Sequence, residues 1–137
     1  MENEMSPVTD RTEIAELVAR LAQALDERRF EDLRGVYAPD AETSSPRGAL
    51  HGIDDIVDVL RRTSPEEEST QHLNTDVVVD LDGDHAEVGT HQLVYFFRRG
   101  EAPHRVAGVQ ARYTATRTPT GWRFARARIS PLWQHVS

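Results

Sequence analysis

Residues 70–97 constrain the fold of this chain more than any other stretch. Two runs rich in β-branched and aromatic residues flank the dipeptide Asp82-Gly83, which is a strong short-range signal of a β-hairpin. Each run carries a histidine, His72 in the first and His91 in the second. Because the unperturbed pKa of histidine lies near neutrality, both residues are candidates for proton transfer.

The residues before this hairpin predict helices. Asp10 and Glu13 have the spacing of a capping box, and apolar residues then recur at helical spacing. These apolar residues are Ile14, Leu17, Val18, Leu21 and Leu25. A short second helix is predicted over residues 31–37, before Pro39, and a third helix follows Gly52.

The remaining residues predict an antiparallel meander. Strands are predicted over Val106–Thr118 and Trp122–Ile129 in addition to the two strands of the hairpin, while residues 41–50 are expected to form a loop or a short edge strand. Helices followed by such a meander indicate an α+β fold. A sheet that curls around the long helix buries both apolar surfaces, and it encloses a cone whose open end is a pocket.

The composition is that of one globular domain. The chain has 137 residues, of which 38% are hydrophobic and 28% are charged, as in ordinary folded proteins. We expect residues 10–137 to form a single domain that follows a disordered lead-in over residues 1–9. No apolar run approaches the roughly 18 residues that span a bilayer, so a membrane is not an expected partner.

Charge and cysteine content exclude further classes of function. The net charge of −7 argues against a nucleic-acid partner, because phosphate binding requires a basic face. The absence of cysteine excludes disulfides and thiolate sites, and it is compatible with the cytoplasm, where we expect the protein. No histidine pair has the spacing of a metal site, and no phosphate-binding loop or dinucleotide fingerprint is present. We therefore expect neither a metal nor a nucleotide cofactor.

Asp26 and His72 are the leading candidates for catalysis. Asp26 lies at the end of the long helix, on the flank of its apolar stripe and beside small alanine side chains. A carboxylate that reaches His72 would fix the tautomer of the imidazole and make it more basic. His72 is then a general base, or an imidazolium that donates to a leaving hydroxyl; alternatively, Asp26 is itself the base in an apolar pocket. The structural alternative is that Asp26 only ends the helix or faces water.

Strand alternation sets a condition on the position of His72. It places His72 on the face opposite Leu73, Val77 and Val79, so one of the two sets faces outward. A bulge between His72 and Val79 would allow both to face inward. A pocket position for His72 therefore requires such a bulge, or an inner face that is lined by Val78.

Four further residues are candidates for contacts with a substrate. His91 and Phe97 share one face of their strand, which is an inward face if the pocket lies on that side. Tyr113 offers a hydroxyl to a substrate oxygen, and Arg128 offers a cation to an enolate or a carboxylate. Each has a structural alternative: a hydrogen-bonded histidine of the sheet, a buried tyrosine with its hydroxyl satisfied, or a solvated arginine.

Several short motifs, together with the order of the elements, resemble the NTF2-like superfamily. They are the Leu25-Asp26 helix end, Ala38-Pro39, Thr70-Gln71-His72, His91-Gln92-Leu93, and the tryptophans Trp122 and Trp133. The resemblance runs from Thr12 to Gln134. Within the superfamily it is sharpest to the SnoaL-like polyketide cyclases and to the scytalone dehydratases.

The resemblance implies an NTF2-like (cystatin-like) cone, in which a curved antiparallel sheet wraps around the N-terminal helices. It also implies a dehydratase, isomerase or cyclase of secondary metabolism that needs no cofactor and acts on a small hydrophobic, polycyclic or phenolic substrate. The catalytic aspartate and histidine of the family correspond to Asp26 and His72. Two tyrosines and a second histidine of the dehydratases correspond to Leu25, Ser45 and Phe97, so half of the dehydration apparatus is absent.

Two alternative functions remain open. The missing dehydration residues favour a non-catalytic member that binds a ligand or a partner. A limonene-type epoxide hydrolase requires an Asp–Arg–Asp arrangement, of which Asp26 and Arg128 supply two parts. Under each of these functions, apolar residues on both faces of the sheet predict a homodimer, or the homotrimer that the resemblance suggests.

Overall fold

The computed structural model describes residues 6–137, which form two α-helices, a short 3-10 helix and six strands. In chain order these are α1 (Pro7–Asp26), the 3-10 helix (Phe30–Gly35), β1 (Tyr37–Ser45), β2 (Gly48–His51), α2 (Ile53–Thr63), β3 (Ser69–Asp82), β4 (His85–Phe97), β5 (Arg105–Thr118) and β6 (Gly121–Val136). The strands form one curved, unclosed sheet in the order β2-β1-β6-β5-β4-β3. The predicted α+β fold is confirmed, but the sheet is not wholly antiparallel, because β1 and β6 run parallel.

The first helix begins earlier than the sequence predicted. Ser6 is the N-cap, and its hydroxyl accepts a 3.1 Å hydrogen bond from the N–H of Thr9, while Pro7 occupies the first helical turn. The predicted capping box at Asp10 and Glu13 is therefore wrong, because both residues lie inside the helix. Residues 7–9 are helical rather than part of a lead-in, and the rest of the predicted lead-in, residues 1–5, lies outside the described residues.

Two further elements differ from their predicted form. The second helix is a single 3-10 segment that ends at Gly35, and Tyr37 already belongs to β1. Residues 41–50, expected as a loop or a short edge strand, contribute to a hairpin of β1 and β2. The third helix follows Gly52 as predicted.

The main core lies between α1 and the inner face of the sheet. α1 buries the predicted stripe, of which only Leu25 is partly exposed. From the sheet, Tyr113, Trp122 and Phe124 are fully buried, and the rings of Tyr113 and Phe124 stack with their centroids 4.2 Å apart. Burial of aromatic side chains of this size is a large part of the stability of a domain.

Contacts at both ends fix the direction of α1 across the sheet. Near its start, the Glu13 carboxylate accepts a 2.8 Å hydrogen bond from the N–H of Trp122 in β6. At its end, the Asp26 carboxylate accepts bonds from Thr70 and His72 of β3. A helix of this length spans about 30 Å, so α1 crosses the inner face from the β5–β6 end to the edge strand β3.

β3 contains the bulge that an inward-facing His72 required. Thr75 pairs with His91 and Val78 pairs with Gly89, so three steps on β3 match two steps on β4. Asp76 lies in the bulge with φ of 52°, a left-handed conformation that Asp tolerates better than most residues. The extra residue changes which side chains face inward along the rest of the strand.

The bulge gives β3 two inward-facing segments. Before it, Thr70, His72 and Asn74 are partly buried and alternate with exposed residues; after it, Val79 and Leu81 pack against the main core. Polar side chains therefore face inward at the first half of β3, and apolar ones at the second half.

Candidate active site

Asp26 and His72 are in direct contact. Asp26 Oδ1 lies 2.6 Å from His72 Nδ1, and Asp26 Oδ2 accepts a 2.8 Å hydrogen bond from the backbone N–H of His72. The Thr70 hydroxyl donates to Asp26 Oδ1 at 3.0 Å. The side chains of Asp26 and His72 are 20% and 15% exposed. The contact is thus sheltered from bulk water, and three donors hold the carboxylate in one orientation.

A Schellman motif ends α1 and holds Asp26 in this position. The N–H of Arg28 donates to the carbonyl of Leu25 at 3.2 Å, and the N–H of Arg29 donates to the carbonyl of Ala24 at 2.8 Å. Arg28 occupies the left-handed position of the motif with φ of 57°, where glycine is the usual residue. This conformation costs about 1 kcal/mol or more for a residue with a side chain.

The side chain of Arg28 makes two hydrogen bonds that a glycine could not make. Its guanidinium donates to the carbonyl of Ser64 at 2.8 Å and to the carbonyl of Pro65 at 3.1 Å. These two bonds tie the end of α1 to the segment that leads into β3. Arg28 therefore fixes the relative position of the elements that carry Asp26 and His72, a contribution that no sequence motif predicted.

The surroundings of Asp26 keep it ionised. Burial raises the pKa of the Asp26 carboxyl, but the hydrogen bonds from His72 and Thr70 outweigh that effect, so its pKa lies below the ordinary value. An ionised carboxylate only accepts hydrogen bonds, and His72 Nδ1 must then carry the proton of this contact. The neutral imidazole has its lone pair on Nε2, on the far side of the ring from Asp26.

Asn74 and Gln92 extend the polar surface beside His72, and neither was predicted from the sequence. Asn74 lies two residues after His72 on the same face of β3 and pairs with Gln92 of β4. The Gln92 amide donates to Asn74 Oδ1 at 2.8 Å, and Gln92 is buried. No residue between 6 and 137 accepts a hydrogen bond from the Asn74 amide group, which leaves a neutral donor next to His72. The alternation of polar residues at 70, 72 and 74 was the available signal.

Apolar side chains form the wall next to the imidazole. Val94 pairs directly with His72, and Ala107 is the next residue across the sheet. Both belong to a second apolar cluster with Val109, against which Phe96 and Ile129 pack. An apolar wall beside a polar pair is the usual character of a site for small organic molecules.

Two surface hollows of the described residues lie away from this pair. One of about 650 Å³ is lined by residues of the β1–β2 hairpin, β5 and β6, and one of about 420 Å³ is lined by α1 and the 3-10 helix. Neither is lined by Asp26 or His72. The pair itself is half-buried on the inner face, and these two hollows are separate from the pocket that the sequence predicted around His72.

The predicted inward orientation of His91 and Phe97 is wrong. On β4 the buried residues are Thr90, Gln92 and Val94, whereas His91 is exposed and pairs with no buried residue of β3. Phe97 shares the outer face with His91 by alternation and is partly buried there. The two faces of β4 are both apolar in part, so the sequence alone did not identify which one meets α1.

Tyr113 and Arg128 occupy opposite faces of the sheet. Tyr113 faces inward and is 2% exposed, and burial raises the pKa of its hydroxyl although a hydrogen bond from Gln92 acts in the opposite direction. Arg128 is exposed on the outer face and lines the larger hollow. Arg128 therefore lies on the opposite face of the sheet from His72, and the Asp–Arg–Asp arrangement of an epoxide hydrolase is not formed with Asp26.

The described residues offer neither a metal cluster nor a membrane-spanning helix. Between residues 6 and 137, no group of three or more His, Asp or Glu side chains is arranged to hold a metal ion. No helix in the same range has the length and hydropathy needed to cross a membrane.

Comparison with known families agrees with the architecture. The SnoaL-like domain family matches residues 6–128, which is most of the chain. The chain belongs to the SnoaL-like domain family. An uncharacterized protein of Mycobacterium tuberculosis is 30% identical over 139 residues, covering 96% of this chain and 92% of the relative.

Solved structures place this SnoaL-like domain in the NTF2-like superfamily. An NTF2-like protein with a cystatin-like fold from Novosphingobium aromaticivorans is 28% identical, with a TM-score of 0.78 over 91% of this chain and 83% of that one. A proposed scytalone dehydratase from the same organism has a TM-score of 0.84 at 20% identity, covering 95% and 89% of the two chains. Hexachlorocyclohexane dehydrochlorinase LinA-type3 from Novosphingobium barchaimii has a TM-score of 0.84 at 14% identity, covering 95% and 91%. At such low identity the last two show a shared fold alone.

Proposed function

We propose that this SnoaL-like protein is a small-molecule enzyme of the dehydratase, isomerase or cyclase type, in which His72 and Asp26 perform general acid–base catalysis. The observation that supports this most is the 2.6 Å contact between Asp26 Oδ1 and His72 Nδ1, with the carboxylate held ionised. This contact leaves the basic nitrogen of the imidazole, Nε2, free to meet a substrate. Asp26 as the base itself is disfavoured, because the pKa of its carboxyl is lowered.

In the proposed reaction, His72 Nε2 removes a proton from a carbon next to a carbonyl group. The electron pair of the broken C–H bond moves onto the carbonyl oxygen as an enolate, and the amide N–H of Asn74 stabilises that oxygen. The resulting imidazolium is stabilised by the Asp26 carboxylate. It then returns the proton to a leaving hydroxyl, which completes a dehydration, or to a second carbon, which completes an isomerisation. In the dehydration, the enolate electrons re-form the carbonyl and a C=C bond as the C–O bond breaks and the protonated hydroxyl leaves as water; in the isomerisation, only protons move.

The substrate that suits this site is a small hydrophobic molecule with an activated carbonyl. Val94 and Ala107 form an apolar wall beside the imidazole, while Asn74 offers a single polar contact. Two proteins of the same fold are named for elimination reactions. They are a proposed scytalone dehydratase and a hexachlorocyclohexane dehydrochlorinase. Elimination also begins with the loss of a proton from carbon, so the same pair of residues suits it.

A second candidate is a member of the family that binds a ligand without transforming it. The position of the two hollows favours it, because neither includes Asp26 or His72. Leu25, Ser45 and Phe97 at the positions of the missing dehydration residues favour it as well. The two functions differ in one measurable property, which is the removal of a proton from carbon.

Exchange of carbon-bound hydrogen in D₂O tests the proposal without knowledge of the natural substrate. We expect the protein to accelerate deuterium uptake next to the carbonyl of 2-tetralone, an activated bicyclic ketone, as followed by NMR. His72→Gln should lose the acceleration, because glutamine has no basic nitrogen at this position. His91→Gln is the matched control, since His91 lies on the outer face of the neighbouring strand. Equal exchange rates with the protein and His72→Gln would contradict the proposal and favour the ligand-binding alternative.

We also propose that the chain forms a homodimer or homotrimer through the part of the outer face that carries Leu73 and Trp133. These two side chains are 43% and 50% exposed and lie in one row across the sheet, through Leu93 and Gly108. The Trp133 ring covers Gly108, where there is no space for a Cβ. Large exposed apolar side chains in one row favour burial against another copy. Light scattering should give two or three times the chain mass of 15.5 kDa, and a monodisperse monomer would contradict this.

A further inference from the structure

Two arginines lie opposite each other on neighbouring strands, on the outer face of the sheet. Arg112 of β5 and Arg128 of β6 are paired directly in register, and both are exposed. Their side chains point outward, because the neighbouring Ala111 and Ala127 are buried on the inner face. Like charges directly opposite each other destabilise a pair of strands. A bound negative charge would remove this repulsion.

No carboxylate of the described residues supplies that charge. Between residues 6 and 137, no Asp or Glu oxygen lies within 4.0 Å of the guanidinium of Arg112 or Arg128. Glu42 lines the same hollow, but it contacts His51 at 3.0 Å and Arg126 at 3.8 Å. The Glu42 carboxylate is therefore engaged with His51 and Arg126 rather than with the arginine pair.

The larger hollow leaves room for a ligand above the arginine pair. Its volume is about 650 Å³. Gly89, which pairs with Arg112, contributes no side chain, and the Arg112 guanidinium lies over it, with Nη1 3.6 Å from where a Cβ would be. Ser44, which pairs with Arg128, contributes a short hydroxyl. Glu87 also lines the hollow, where the Thr114 hydroxyl donates to it at 3.2 Å. The absence of a side chain at Gly89 thus lets the Arg112 guanidinium lie flat on the sheet, and the short Ser44 side chain leaves space beside Arg128.

We propose that this hollow binds a small anion with several oxygens, a phosphate or a multivalent carboxylate, between Arg112 and Arg128. A guanidinium group is planar and donates two parallel hydrogen bonds to such an anion, and two arginines paired across neighbouring strands offer two such groups. The Ser44 hydroxyl adds a neutral donor. Arg126 of the same hollow already faces Glu42, so the charge available to the anion comes from Arg112 and Arg128.

This anion site is independent of the proposed catalysis. Arg112 and Arg128 lie on the outer face of the sheet, whereas Asp26 and His72 meet on the inner face. A result that contradicts one proposal therefore does not affect the other, and the two tests use different variants.

The test compares the protein with an Arg112→Gln/Arg128→Gln double variant. Sodium phosphate and sodium citrate are the probes, and sodium chloride at equal ionic strength controls for screening. We expect phosphate or citrate to raise the Tm of the protein above the chloride control. Calorimetric titration should show binding about tenfold weaker or more in the double variant. An Arg98→Gln/Arg99→Gln variant removes the same charge from the exposed β4–β5 turn and should bind as the unmodified protein does.

The comparison of probes also distinguishes the two sources of the anion. A larger response to phosphate identifies a phosphorylated ligand, and a larger response to citrate identifies a polycarboxylate; either result supports the site if only the Arg112/Arg128 variant loses it. Equal shifts in all three proteins, or a shift that chloride reproduces, would overturn the proposal. In low salt without a probe, the Arg112/Arg128 variant should be at least as stable as the protein, because the repulsion is gone. A clear loss of stability there would assign the arginines a structural role instead.

Discussion

His72→Gln is expected to lower kcat/KM for proton abstraction by about 10²–10⁴-fold, the usual contribution of one positioned general base. Glutamine fills similar space but offers no basic nitrogen to the substrate. Asp26→Asn should cause a loss of similar order, because an amide at this position no longer dictates which nitrogen of His72 carries the proton. The measurement is the rate of carbon-bound deuterium exchange, or turnover once the natural substrate is known.

The double variant distinguishes a catalytic pair from two independent contacts. If His72 and Asp26 act as a unit, combining the substitutions should cost little more than His72→Gln alone. Independent effects would multiply. His91→Gln is the matched control, and it should leave the rate unchanged since its ring lies on the other face of the sheet. Full activity of a folded His72→Gln variant would remove the catalytic role of this residue.

The sequence was sufficient to predict the catalytic candidates but not the orientation of their surroundings. Period-2 alternation alone placed His72 opposite Val79, and the conflict was resolved in the structure by the bulge at Asp76. The conflict itself was visible in the sequence, since both residue types required an inward position. The sequence did not show where in β3 the bulge lies. Asp76 adopts the left-handed conformation there, but Asp tolerates this conformation without being specific for it.

Residues that act through long-range contacts were harder to predict. The inward face of β4 is set by its packing against α1, and both faces of that strand carry apolar residues, so His91 and Phe97 were assigned to the wrong side. Arg28 was not recognised because its two bonds are made with a segment 36 and 37 residues away. Contacts at such separations leave no local pattern in a single sequence. The long first helix, the helix after Gly52 and the four C-terminal strands, in contrast, follow from local periodicity and were predicted in the right order, whereas the β1–β2 hairpin was not.

Asp10→Ala is expected to cost about 2–4 kcal/mol of unfolding free energy, although Asp10 lies far from the proposed active site. Its carboxylate accepts hydrogen bonds from Arg117 at 2.9 and 3.1 Å and from the indole N–H of Trp122 at 3.1 Å. Because Trp122 is fully buried, removal of Asp10 leaves its N–H without an acceptor. It also removes a buried partner of Arg117 near the start of α1. Urea denaturation gives the free energy directly.

Asp84→Ala is the matched control, because Asp84 binds the same Arg117 guanidinium at 3.0 Å from an exposed position. Loss of an exposed ion pair should cost no more than about 1 kcal/mol. Equal costs for the two variants would show that burial at Asp10 and its bond to Trp122 contribute nothing.

The same contact predicts how stability depends on pH. The hydrogen bond from Arg117 lowers the pKa of the Asp10 carboxyl, burial opposes this, and the bond from Trp122 lowers it further, so the folded-state value lies below the ordinary one. A carboxyl with a lowered pKa stabilises the fold fully above its unfolded pKa of about 4, and the contribution is lost as the pH falls through the folded value. The stability advantage of the protein over Asp10→Asn should therefore be complete at neutral pH and shrink below about pH 4. An advantage that stays constant down to the lowest accessible pH would mean that the charge of Asp10 does not stabilise this end of the helix.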